Sequence, residues 1–183
     1  GFAVRVAGHD VPASAWQQRR AAAVVKLLAL QPQHRLHREV LMETLWPDLA
    51  SESAANNLRV ATHRARQRLE DAGAPAGRFL TRLQDEVVLA DPADVVVDVQ
   101  RFVEFAQRAW LDNDPAQTHA AVALYTGDLL PEDPYEEWAA HRRTDLRISY
   151  LALLSRLAQL HEARNDDAAA IAATQQLVAA EPL

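Results

Sequence analysis

Residues 53–69 read SAANNLRVATHRARQRL, and this stretch narrows the possible folds more than any other part of the chain. Wound at about 100° per residue, it places Leu58, Thr62, Ala65 and Leu69 in one narrow stripe of small or apolar side chains. The opposite side carries Asn56, Val60, His63, Arg64 and Gln67, with Arg59, Arg66 and Arg68 on the flanks. Four arginines occur in this run with no acid among them. A solvated helix normally mixes both signs, because opposite charges at i,i+4 stabilise it and like charges do not. An all-cationic face with Asn and Gln at its centre suits a polyanion with readable edges, since Arg pairs bidentately with guanine and Asn or Gln with adenine. The plainer alternative is an ordinary basic surface helix. Its neighbours decide between the two.

Aliphatic residues and alanine dominate while aromatics are only 6% of 183 residues, so a helix-rich interior is expected. No apolar run approaches the roughly 18–20 residues a membrane span requires, and no signal-peptide pattern opens the chain. With no cysteine there is neither a disulfide framework nor a thiolate metal site, which fits a reducing interior such as the cytoplasm. A net charge of −6 argues against nucleic acid until the chain is divided. Residues 1–90 hold 12 Lys+Arg against 9 Asp+Glu, and residues 91–183 hold 7 against 16. Such asymmetry points to one polyanion-facing module beside one that is not.

Taken in order, Phe2, Val4 and Val6 alternate with Ala3, Arg5 and Ala7, the period of a half-buried strand, and Gly8-His9-Asp10 turns toward a short return strand at Val11. A chain that begins without Met, almost inside a strand, is expected to lack a preceding piece. From Trp16 the pattern is helical, with Val24, Leu27, Leu28 and Leu30 inward and Arg19, Arg20 and Lys26 elsewhere, until Gln31-Pro32. A second helix is expected from His37 to Trp46, with Val40, Leu41 and Leu45 inward, ending at Pro47. Ser51 or Ser53 offers an N-cap for the basic helix, and Asp71-Ala72-Gly73 closes it. Runs 79–83 and 87–90 then read as a hairpin with an acidic tip. Strand, three helices and hairpin is the order of a winged helix, in which the third helix enters the major groove.

Beyond Asp91-Pro92 no strand pattern appears. Asp98 can cap a helix with Val99, Phe102, Val103, Ala106 and Trp110 along one side. Asp114-Pro115-Ala116-Gln117 and Asp133-Pro134-Tyr135-Glu136 are helix starts, and Gly127 and Asn165 are candidate stops. The second of these starts opens a helix or helix pair to about Arg164, followed by a last helix over 166–180 stopped at Glu181-Pro182. Helix pairs joined by short turns suggest an α-solenoid. The expected architecture is mainly α with a small β part: a winged helix-turn-helix domain over 1–91, then an all-α helical repeat domain over 92–183.

The stretch RLHREVLMETLWPDLASESAANNLRVATHRARQRLE resembles the DNA-binding half of SARP-type bacterial transcriptional activators (Streptomyces antibiotic regulatory proteins), an OmpR/PhoB-like winged helix. FVEFAQRAWL, AAVALYTGDLLPEDPYEEWAAHRRTDLR and AAAIAATQQLVAAEPL are similar to the tetratricopeptide-like bacterial transcriptional activator domain that follows it. Leu45-Trp46-Pro47-Asp48, Asn57-Leu58-Arg59-Val60 and Tyr125-x-Gly127-Asp128-Leu129-Leu130-Pro131 carry most of the likeness. Leu157, Ala158, Ala170 and Pro182 sit at the spacing of one repeat of about 34 residues. The resemblance implies a sequence-specific activator of transcription that binds double-stranded DNA through Asn56, Arg59, His63, Arg64, Gln67 and Arg66. It implies that loop 47–50, with Asp48 and Leu49, meets the sigma or alpha subunit of RNA polymerase, and that the chain pairs as a homodimer on direct repeats. It implies no cofactor, no metal and no membrane partner. Two departures stand out: His37 replaces the family's usual Ser cap, and the hairpin tip is Asp85-Glu86 in place of a Gly-aromatic pair. Phosphate would repel that tip, so Arg78 and Arg82 are the better wing candidates. On this resemblance a first strand is expected before Phe2 and further repeats after Leu183, so the chain is expected to be a piece of something longer.

Sharper readings of other residues give way to plainer ones. His34 and His37 lie one turn apart but lack a third ligand, and read as surface histidines at a helix start. His161-Glu162 lacks the second His of a zinc-hydrolase helix. Trp46, Trp110 and Trp138 read as core anchors, and Tyr125 and Tyr135 as packing residues. Five unclustered glycines leave no phosphate loop, and nothing points to an enzyme. Within the basic helix Arg64 is expected to read bases and Arg66 to hold phosphate. The alternative function is a protein-interaction module in which the helical repeat works and DNA binding is vestigial.

Overall fold

Helix makes up 64% of the chain and strand 8%, the mainly α composition with a small β part that the patterning leads one to expect. The computed structural model describes residues 1–181 and separates into two compact units, one covering Phe2–Val97 and the other beginning at Asp98. Divided there, residues 2–97 hold 12 Lys+Arg against 11 Asp+Glu, so the first unit is close to neutral and any attraction for a polyanion must come from a localised face.

The first unit opens on an antiparallel pair, β1 (Val4–Val6) and β2 (His9–Val11), turned by Ala7 and Gly8, both at positive φ. α1 (Arg19–Leu30) is sheathed on nearly every side. Its eight residues from Ala21 to Leu28 are all buried, Lys26 included, whose ammonium lies 4.7 Å from the Phe2 ring centroid. Lys26 lies off the apolar stripe and yet is buried, because a long aliphatic stem lets the charge end over an aromatic face. Gln33 and His34 both take left-handed φ and turn the chain into β3 (Arg35–His37). His34 is 1% exposed rather than a surface residue, and its carbonyl accepts from the Leu89 amide at 2.9 Å.

α2 (Arg38–Leu45) begins at His37, whose Nδ1 accepts from the Glu39 amide at 3.3 Å, so the imidazole does the work of the missing Ser. Leu41 and Leu45 are fully buried, and cutting either to Ala would cost about 2–5 kcal/mol. Val40 is 46% exposed, contrary to the expectation that it packs inward. α3 (Ser51–Asp71) runs two residues beyond the basic stretch at each end. Its N-cap is Ala50, with no side-chain cap from Ser51 or Ser53, both of which already lie within the helix. At the other end Gly73, at φ 101°, donates to Glu70 while Ala74 donates to Leu69, the paired bonds of a Schellman stop. α1 and α2 both pack on α3, whose Ala54, Leu58, Ala61, Ala65 and Leu69 face them. β4 (Thr81–Leu83) and β5 (Glu86–Val88) form the hairpin, and β3 joins it in the order β3-β5-β4 with Leu36 opposite Val87. Asp91 caps a short 3-10 turn over Pro92–Asp94, which Arg78 holds through a two-pronged bond to Asp94 at 2.7 and 3.0 Å.

The second unit is built from α4 (Asp98–Leu111), α5 (Pro115–Leu124), α6 (Glu137–Glu162) and α7 (Asp167–Ala180), each packed on the next. Asp114 and Asp166 cap their helices with side-chain oxygens on backbone amides, Asp114 as its sequence signal requires, whereas Asp98 is the first residue of α4 and accepts from the neighbouring Val99 amide. Glu136, not Asp133, is the N-cap of α6, and α6 is one continuous helix of 26 residues. Tyr125, extended at φ −86°, ends α5 two residues ahead of Gly127, and Asn165 takes the left-handed conformation expected of it. The core joins Phe102, Ala106, Ala109, Ala121, Val122, Leu146, Leu153 and Leu154. A second cluster joins Leu157, Ala158 and Ala173, with Ala170 also buried; Pro182 lies outside the described residues. Tyr125 stacks on Tyr150 at 4.3 Å and donates to Asp128 at 2.8 Å; burial first, and that bond second, push its phenol above the ordinary tyrosine range. Tyr135, by contrast, is 94% exposed and packs on nothing. Trp110 is 48% exposed, because Ala109 takes the inward position beside it and the indole is covered by the Arg156 guanidinium at 4.9 Å. That guanidinium also bonds the carbonyls of Ala109, Trp110 and Asp112, closing the C-terminus of α4. Trp46 and Trp138 are half-buried, and the most enclosed tryptophan is Trp16 at 8%. Among the described residues no helix is long and apolar enough to cross a membrane.

Candidate nucleic-acid interface

The α1 and α2 contacts claim one side of α3 and leave the other bare. Asn56, Arg59, His63, Arg64 and Gln67 are all exposed, spaced along one face over three turns. The sequence-expected set is therefore brought together, with one exception. Arg66 is half-buried and turns inward, its Nε donating to the Leu80 carbonyl at 3.1 Å and its Nη2 to the same oxygen. The reason is position: Arg66 stands at the edge of the buried stripe, within a side chain's length of the chain entering β4. Arg68 is likewise drawn to Asp71 at 3.4 Å. The cations left on the open face are Arg59 and Arg64. Arg59 donates to the Asn56 side-chain oxygen at 3.1 Å, and Arg64 has no hydrogen-bond or ion-pair partner among the described residues.

The hairpin tip lies among arginines that sequence reasoning did not bring to it. Asp85 is 3.6 Å from Arg82 and 3.8 Å from Arg38, and Glu86 is 3.6 Å from Arg35. The Arg38 amide also donates to the Asp85 carbonyl at 2.7 Å. Arg35 and Arg38 sit some fifty residues before the tip, and only the β3–β5 pairing reveals that they meet it. Arg82 remains exposed, as a wing contact must, with its Nε on the Gln84 carbonyl at 2.9 Å. Arg78 is committed to Asp94, which holds its charge firmly in place and removes it from the wing candidates.

Loop 47–50 separates α2 from α3. Asp48 and Leu49 are both exposed, Leu49 at 43%, and the Leu49 amide closes the turn on the Trp46 carbonyl at 3.2 Å. No group of three or more His, Asp or Glu among the described residues is placed to hold a metal ion.

Residues 97–183 match the family model of the bacterial transcriptional activator domain. The match begins one residue before the unit that starts at Asp98. The match supports a likeness of this part of the chain to the C-terminal part of bacterial transcriptional activators. No curated protein and no solved structure matches the chain. The Phe102–Tyr125–Tyr150 cluster and the Arg156 closure of α4 lie within the matched residues.

Proposed function

We infer that this chain is a sequence-specific DNA-binding regulator of transcription, acting as a SARP-type activator. In this reading the first unit is a winged helix whose α3 enters the major groove, and the second is a tetratricopeptide-like activator domain. The observation that carries the DNA-binding part is the acid-free open face of α3, where Asn56, Arg59, His63, Arg64 and Gln67 stand together while the apolar stripe is spent on α1 and α2. Arg59 and Arg64 supply charge, and the amides and imidazole supply donors and acceptors for base edges. The Arg66 bond to Leu80 ties α3 to the chain entering the hairpin, and in this reading the exposed Arg82 of that hairpin contacts phosphate. Loop 47–50, exposed and without a basic residue, is the surface offered to the sigma or alpha subunit of RNA polymerase. A homodimer on direct repeats would give two such surfaces. No step of this scheme calls for a cofactor or for catalysis.

A mobility shift with duplex DNA of random sequence at low salt tests the reading. A retarded complex that weakens as salt rises supports it. Absence of any shift supports the other reading, a protein-interaction module, toward which the exposed Trp110, Leu111, Ile148, Ile171 and Val178 of the second unit would point.

A further inference from the structure

Asn56 and Arg59 stand one turn apart on the open face of α3, with Arg59 Nη2 donating to Asn56 Oδ1 at 3.1 Å. Chemistry fixes which atom of the amide accepts. A guanidinium has five N–H donors and no acceptor, so Asn56 must turn its oxygen, not its nitrogen, toward Arg59. That bond changes what each residue can read. Asparagine recognises adenine with both halves of its amide, donating to N7 and accepting from the N6 amino group. Giving one of its two lone pairs to Arg59 holds the Asn56 oxygen toward the guanidinium. Arg59 retains four of its five N–H donors and is anchored over the face. Guanine offers two adjacent acceptors, O6 and N7, whereas adenine offers one acceptor and one donor. The donors that the Arg59 guanidinium keeps match the first and set donor against donor with the second.

No other arginine of α3 has this arrangement. Arg66 is spent on the Leu80 carbonyl, Arg68 lies beside Asp71, and Arg64 extends without an anchor. We propose that Asn56 and Arg59 form a single guanine-reading couple, in which Arg59 makes the bidentate base contact and Asn56 is a positioning residue. This rests on the DNA-binding reading above. Immobilising a rotamer-rich side chain in advance is worth roughly two- to tenfold in affinity, so Asn56 acts through Arg59 by about that factor.

The experiment selects the preferred duplex from a random pool with the full chain, then measures affinity for every single-base change in it. Wild type, Arg59→Ala, Arg59→Lys, Asn56→Ala and the Asn56→Ala/Arg59→Ala double variant are compared, with circular dichroism confirming that each is folded. One G·C pair should matter by about 5- to 150-fold for the wild type. Arg59→Ala should remove that preference alone, and Arg59→Lys should lose it while keeping affinity for random DNA. Asn56→Ala should reduce the same preference about two- to tenfold, with no further loss when added to Arg59→Ala. Flattening at a separate A·T pair by Asn56→Ala, or additive losses at two positions, would overturn the couple while leaving the DNA-binding reading intact. If the wild type selects no sequence at all, both fall together.

Discussion

Arg66 Nε lies 3.1 Å from the main-chain oxygen of Leu80, joining the middle of α3 to the chain that enters the hairpin. Leu80 is fully buried at a left-handed φ of 52°, and its amide donates to the Leu89 carbonyl at 2.8 Å. A buried carbonyl left without a donor is costly, and the guanidinium supplies one. This replaces the expectation that Arg66 grips phosphate.

Arg66→Ala should therefore act on stability. A hydrogen bond to a charged group contributes about 1.5–3 kcal/mol, and the first unit should lose that much in urea unfolding. The preferred DNA sequence should not change. If the variant unfolded like the wild type while the salt dependence of DNA binding fell by about one unit, Arg66 would be a phosphate contact after all.

The acidic tip yields a second prediction. Asp85 and Glu86 lie 3.6–3.8 Å from Arg82, Arg38 and Arg35, in exposed pairs worth at most about 1 kcal/mol each. Their larger effect is to offset cations that would otherwise draw phosphate. Asp85→Asn with Glu86→Gln should tighten binding to random duplex DNA with little change in stability. The slope of log K against log salt should steepen by about 0.9 for each phosphate newly neutralised. An unchanged slope would place these arginines away from the duplex.

Loop 47–50 yields a third. Asp48→Ala with Leu49→Ala removes two exposed side chains and touches no core residue. Affinity for the selected DNA site should stay nearly constant while transcription in a reconstituted system falls. Parallel loss of both would move the loop into the DNA interface.

Periodicity made the helices legible, and the Asp-Pro start at Asp114 and the stops at Asn165 and Glu181-Pro182 located two of them to within a residue. Three kinds of feature were not legible. β3 is three residues long and exists because β5 pairs with it, so Arg35-Leu36-His37 carries no period of its own. Helical wheels also assign a face to a Cα, not to the end of a long side chain. Lys26 reaches a ring from a buried position and Arg66 a carbonyl from a flank. Finally, adjacent residues on a wheel compete for one inward place. Ala109 wins it over Trp110 because Arg156 offers the larger indole a surface outside. The open face of α3 was legible because its buried stripe was, and the stripe consists of Leu58, Ala65 and Leu69 without a polar interruption beyond Thr62.

The central claim is that a nearly neutral unit binds DNA through the open face of one helix. Fluorescence anisotropy of a labelled duplex, titrated with the full chain at several salt concentrations, measures it directly. The account predicts binding whose log K falls linearly with log salt, at about 0.9 per phosphate contact. It further predicts that Arg64→Ala keeps the fold but flattens preference at one base pair of the selected site, at a cost of about 1–3 kcal/mol there. No binding at low salt, or an Arg64→Ala profile indistinguishable from wild type, would contradict it.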